Sequence, residues 1–129
     1  MERECLTILL RGTQPVILCP ARGIAGLRLR KEYKQPVGQN RLLFLSPFGQ
    51  KASRATVEMA LFRNRLVAAL ADAIVVAHAA PRSKTEQFCR EVLAWGKPLF
   101  TFDDDANFAL MAAGARPMVA AEHVADLFR

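Results

Sequence analysis

The stretch FRNRLVAALADAIVVAHAAPRSKTE, residues 62–86, holds the end of a helix, a strand and the start of a second helix. At about 100° per residue, Met59, Phe62, Leu66 and Leu70 line one side, which predicts a helix over 55–71 with that stripe on the core. AIVVAH (73–78) reads as a strand. Ser83-Lys84-Thr85-Glu86 then has the spacing of a capping box, in which the Ser83 hydroxyl accepts from the Glu86 backbone and the Glu86 side chain reaches back. The helix it opens covers 84–95. Gly96 stops it, Pro98 forbids its continuing, and PLFTF (98–102) is the next strand. One residue resists this reading. Arg63 lies four residues after Met59 and four before Val67, inside the apolar arc. A buried cation without a partner costs several kcal/mol. Arg63 must therefore pair with a carboxylate, cap backbone carbonyls, or stand at a cleft edge facing an anion.

The same alternation extends in both directions. Upstream, Cys5, Ile8 and Leu9 predict a short amphipathic helix ending at Gly12, and PVILCP (15–20) reads as a buried strand. Residues 21–40 form a loose helix or a long surface connection, and RLLFLSPF (41–48) is a strand running into the polar loop GQKASRA. Downstream, a helix near 106–113 ends at Gly114, and AAEHVADLF is a last short helix. The strands are continuously apolar, as in a parallel sheet covered on both faces. The expectation is one α/β domain over residues 1–129, doubly wound around a mainly parallel sheet of about four strands.

Composition narrows the functional classes. No apolar run reaches the roughly 20 residues of a membrane span, and the start, MERECLTILLRG, lacks the pattern of a signal peptide, so the reading is cytoplasmic with no membrane partner. Cys5, Cys19 and Cys89 show no C-x-x-C spacing and, with only His78 and His123, make no metal-ligand set. Asp103-Asp104-Asp105 cannot all converge on one ion and read as a solvated loop. No metal and no cofactor is expected. Residues 1–65 carry twelve Lys and Arg against four Asp and Glu, while residues 66–129 carry six against eight. Clustered cations of this kind suit a polyanionic partner. The turn at 80–85 adds to this, because in such sheets ligands bind beyond the carboxyl ends of strands, often at helix N-termini.

Several pieces together resemble a known family. They are Leu45-Ser46-Pro47-Phe48 at a strand end, Arg63-Asn64-Arg65, Ala71-Asp72-Ala73 before an apolar run, Ser83-Lys84-Thr85, and Asn107 followed by Gly114-Ala115. Spread over residues 41–118, they are similar to the Rossmann-like domain of DNA-processing protein A (DprA/Smf). More widely they resemble the lonely-guy nucleotide hydrolases and molybdenum-cofactor carrier proteins of the SLOG superfamily. The resemblance implies a Rossmann-like three-layer sandwich and a module that recognises phosphates of single-stranded DNA or a nucleotide. It implies binding by Arg63, Lys84 and the backbone N–H groups of Ser83, Lys84 and Thr85, with Ser46, Asn64 and Arg65 in support. No catalytic residue is expected.

The alternative is a lonely-guy-type nucleoside monophosphate phosphoribohydrolase, or a degenerate member acting through a protein partner. Against the hydrolase, Arg82, Ser83 and Lys84 replace its turn glycines, Gln87 and Phe88 stand at its catalytic carboxylates, and Glu86 is out of register as a capping residue. Relative to the family, the sequence opens where the third strand begins, which implies a short form or a fragment. PVILCP then lacks its usual neighbours. Either it pairs directly with RLLFLSPF or two copies meet, and a homodimer with residues 1–20 in its interface is expected.

Overall fold

The computed structural model describes residues 2–118. They fall into two compact units that divide between Asn64 and Arg65. The helix expected over AAEHVADLF lies outside the described residues.

The first unit contains α1 (Glu2–Arg11), β1 (Val16–Leu18), α2 (Lys31–Gly38) and β2 (Leu42–Phe44). The two strands pair directly and in parallel, with Val16 beside Leu42, Ile17 beside Leu43 and Leu18 beside Phe44. Of the two expected outcomes for PVILCP, this is the direct pairing. Leu6, Pro36 and Leu42 are its buried apolar residues. The ambiguous stretch 21–40 resolves into a connection followed by α2. That helix ends in a Schellman turn, with Asn40 in the left-handed region at φ 56°. Asn40 N–H donates to Val37 O at 3.1 Å, and Arg41 N–H donates to Pro36 O at 2.9 Å. The Arg41 guanidinium then reaches Leu10 O and Gly12 O, supplying donors to carbonyls that the end of α1 leaves open.

α3 (Val57–Leu70) begins in the first unit and ends in the second. Thr56 caps it, its Oγ1 accepting from Met59 N–H at 3.1 Å. The expected stripe is not its buried face. Phe62 is 55% exposed and Leu70 64%, while Ala68 is buried. Apolar residues occur on nearly every side of VEMALFRNRLVAAL, so periodicity selects no unique face. The smallest side chain, which allows the closest approach, takes the core position.

The second unit contains β3 (Ile74–Val75), α4 (Lys84–Ala94), β4 (Leu99–Phe102), a 3-10 turn (Asp105–Asn107), α5 (Phe108–Ala113) and β5 (Arg116–Met118). Its three strands are parallel in the order β3-β4-β5. The sequence pattern does not predict β5. Arg-Pro-Met reads poorly as a strand, but proline is tolerated at a sheet edge, where its missing N–H costs no ladder bond. One core joins Ala68, Ala79, Phe88, Cys89, Val92, Leu99, Leu110 and Ala115. Gly96 (φ 76°) and Gly114 (φ 118°) close α4 and α5 in the left-handed conformation, as their positions predict. The Cys89 thiol is pushed up to about 11, by burial first and then by Glu86. All three cysteines are free.

Every described strand pairing is parallel and helices alternate with strands, which is the α/β, Rossmann-like class. The single sheet of about four strands is replaced by two sheets, of two and three strands. Coverage on both faces is also corrected. Ile17 and Leu43, neighbours on one face of the first sheet, are 60% and 56% exposed. In β4 burial alternates: Leu99 and Thr101 are inside, while Phe102 is exposed. A continuous apolar run thus marks strand propensity here rather than burial on both sides.

Candidate nucleic-acid interface

In the first unit, the predicted residues converge on the loop that leaves β1. The Arg63 Nη1 donates to Cys19 O at 2.7 Å, and its Nε donates to Asn64 Oδ1 at 2.8 Å. Of the three fates open to Arg63, capping a backbone carbonyl is the one observed. Asn64 orients the guanidinium. Ser46 Oγ donates to Arg22 O at 2.7 Å and accepts from Phe48 N–H at 3.1 Å. Arg63 and Ser46 therefore both pin segment 19–22. Beside it the chain passes backbone against backbone: Gly23 N–H donates to Ala52 O at 2.7 Å, and a Cβ on Gly23 would lie 2.4 Å from Gly49 O. Only glycine fits that approach.

In the second unit, Arg65 is held in a two-point ion pair with α4. Its Nε donates to Glu91 Oε1 at 2.8 Å and its Nη2 to Glu91 Oε2 at 3.1 Å. The turn before α4 is the more open arrangement. Ser83 Oγ accepts from Glu86 N–H at 3.1 Å, as the capping spacing predicts. The reciprocal bond differs by one residue. Glu86 Oε2 accepts from Arg82 N–H, while Ser83 N–H donates to Ala80 O at 3.1 Å. Arg82 takes φ 63°, so the turn keeps a glycine-like conformation with a cationic side chain in place.

Between these bonded amides, the N–H groups of Lys84 and Thr85 have no partner among the described residues. Both residues are exposed, as is Arg82. Two free amides at the positive end of an eleven-residue helix, flanked by two cations, form a setting for an oxyanion.

Glu86 holds this turn in shape. Its side chain is nearly buried and accepts from Arg90 Nη2 at 2.7 Å and Nε at 3.1 Å. The Arg90 guanidinium, and then the Arg82 N–H, keep its carboxyl below the ordinary glutamate value. A depressed folded value contributes stability that is present above the ordinary range and lost as pH falls through the folded one. Glu86→Gln is thus expected to lower the melting temperature at neutral pH and to flatten its acid dependence. Thermal melts from neutral to strongly acid pH check this, and parallel curves for the two proteins would contradict it.

The positions matched to the hydrolase's catalytic carboxylates hold Gln87 and Phe88. Phe88 is buried in the core, Gln87 is exposed, and Glu86 is committed to capping. Asp103, Asp104 and Asp105 are exposed after β4, and Asp104 Oδ1 accepts from Ala106 N–H at 2.8 Å. Among the described residues no group of His, Cys, Asp and Glu gathers to hold a metal.

Sequence reasoning did not single out His78, at the end of the AIVVAH run, and gave Asn107 no role beyond a family match. Asn107 is buried, and its Nδ2 donates to Ala77 O at 2.9 Å and Phe102 O at 3.2 Å. Its Oδ1 faces His78 Nδ1 at 3.1 Å. The side chain bridges the ends of two neighbouring segments, 29 residues apart from its histidine partner. The available signal was a polar residue just before a helix whose following face is apolar.

These features define a Rossmann-like α/β fold with a capped, cation-flanked turn after its third strand. Among solved structures, DNA processing protein A (DprA) from Streptococcus pneumoniae is similar, with a TM-score of 0.66 and 19% sequence identity. The match covers 87% of this chain and 42% of that one, so the chain spans less than half of that protein's length. The likeness establishes a DprA-like fold. No protein-family model matches the sequence, and no curated protein matches it.

Proposed function

We propose that this chain is a non-enzymatic phosphate-recognition module that binds single-stranded DNA; the name of its structural neighbour, DNA processing protein A, supports DNA as the partner. The observation that carries the reading is the turn Arg82–Thr85, with its two free amides and two exposed cations. Separately, the basic excess of residues 1–65 favours a polyanionic partner. Phosphate contacts of this kind give affinity without reading sequence. Ser46, Arg63 and Asn64 serve by fixing the 19–22 loop, and Lys84 is the residue most directly available to a phosphate. A reducing cytoplasm suits the three free thiols. No described helix is long and apolar enough to cross a membrane.

Titration of a single-stranded oligonucleotide at two salt concentrations tests this. Binding is expected to weaken with salt, each neutralised phosphate contributing about −0.7 to the slope of log K against log salt. Lys84→Ala is expected to weaken binding and reduce that slope with an unchanged melting temperature. Affinity indifferent to salt would end the electrostatic reading.

The proposal includes a homodimer through the face that bears Ile17 and Leu43, since paired apolar side chains left this exposed favour a second copy. Sedimentation at micromolar concentration is expected to show a dimer, and Ile17→Lys is expected to give a monomer. A wild-type monomer that melts cooperatively would remove the dimer.

A further inference from the structure

We propose that His78 is a base-contacting residue, whose Nε2 accepts a hydrogen bond from the N–H edge of a nucleobase. The inference rests on the single-stranded DNA reading above and adds to it a contact that phosphate chemistry does not require.

Asn107 orients its histidine partner. Its Nδ2 lies within hydrogen-bond distance of two backbone carbonyls, Ala77 O and Phe102 O. Carbonyls only accept, so this end of the amide is the donor and the orientation of the group is fixed. The other end, Oδ1, only accepts, and it faces His78 Nδ1. The proton therefore sits on Nδ1. A neutral imidazole carries one N–H, so Nε2 presents a lone pair. His78 is exposed, and among the described residues nothing bonds to that nitrogen.

Position and chemistry then identify what it meets. His78 follows β3 and precedes the turn Ala80–Thr85 by two residues, at the carboxyl end of a parallel strand, where ligands of such sheets bind. The oxygens of a phosphodiester only accept, so a lone pair has no use for them. Internal deoxyribose units carry no hydroxyl. The donors a DNA strand offers are base N–H groups, and each of the four bases has one. The acidic run Asp103–Asp105, at the same end of the neighbouring strand, disfavours phosphate there and favours a neutral base. The contact thus selects a base-bearing strand over a bare backbone, without selecting a sequence.

The test compares an oligodeoxythymidylate with a strand of equal length built from tetrahydrofuran abasic units, at one low salt concentration. Wild-type protein is expected to prefer the base-bearing strand by about fivefold, the scale of one net hydrogen bond. His78→Phe keeps a stacking ring but no acceptor and is expected to lose the preference while binding the abasic strand as before. His78→Gln, whose amide oxygen accepts, is expected to retain part of it. The tautomer gives a second readout. The chain has two histidines, and with His123→Gln to assign them, a long-range imidazole ¹H–¹⁵N spectrum is expected to show His78 protonated at Nδ1. Protonation at Nε2, or a preference that survives in His78→Phe, overturns the proposal. Equal wild-type affinity for both strands overturns it and leaves the phosphate reading standing. Failure to bind either strand removes both.

Discussion

Asn107→Asp is expected to destabilise the protein by about 2–4 kcal/mol at neutral pH, because two buried carbonyls each lose a donor, while the His78 Nδ1–H still faces the new carboxylate. The amide now gives two hydrogens to Ala77 O and Phe102 O. A carboxylate in that position sets oxygen against oxygen at both contacts, with almost no solvent to relieve it. Desolvation and the two carbonyls raise the folded pKa of the introduced group. The penalty is therefore complete above that value and shrinks as the pH falls through it, because a protonated carboxyl donates to one carbonyl. Denaturant unfolding at neutral and mildly acid pH, each against wild type, measures the difference. A neutral-pH loss below about 1 kcal/mol would mean that water reaches the site and that the amide orientation is not enforced.

The second large effect is expected at Leu110. It is fully buried among Val92, Leu99 and their neighbours, and its carbonyl accepts from Ala115 N–H at 3.0 Å in the turn that closes α5. Leu110→Ala removes the packing and leaves the turn, at a cost of about 2–5 kcal/mol depending on how far the cavity collapses. Phe108, two residues earlier on the same helix, is 72% exposed. Phe108→Ala is expected to change stability by no more than about 0.5 kcal/mol, despite removing the larger side chain. Thermal melts of both variants settle the comparison. Similar losses at the two positions would contradict the described core.

What could be read from the sequence follows how local each determinant is. Ser83 with Glu86, Gly96 and Gly114 act within a few residues of themselves, and their helix boundaries appear where expected. The alternation of helices and parallel strands also survives, because hydrophobic runs and turn residues mark it one element at a time. Arg63 marks the limit. Its position in the apolar arc announces a buried cation, but the carbonyl it meets belongs to Cys19, 44 residues away. The His78–Asn107 pair depends on the same long-range information. Asn40, as the left-handed residue ending α2, lacked the glycine that usually reveals such a turn. In the candidate site, Ser83, Lys84 and Thr85 were accessible to reading because a cap names its own amides. The engagement of Ser46 with Arg22 O was not.

The segment after β1 is tied unevenly. Cys19 O, Arg22 O and Gly23 N–H are all engaged, whereas Gly26 adopts φ 71° with nothing near its missing Cβ, and Arg28 to Arg30 are exposed. An engineer seeking a place to insert a peptide or split the chain would find it just beyond Gly26. There, added length costs only the turn's own bond, from Leu27 N–H to Ile24 O. The same insertion four residues earlier would break the backbone-to-backbone passage at Gly23. For a trypsin-like protease, the chain offers its opening at Arg28 and Arg30 and withholds it at Arg22.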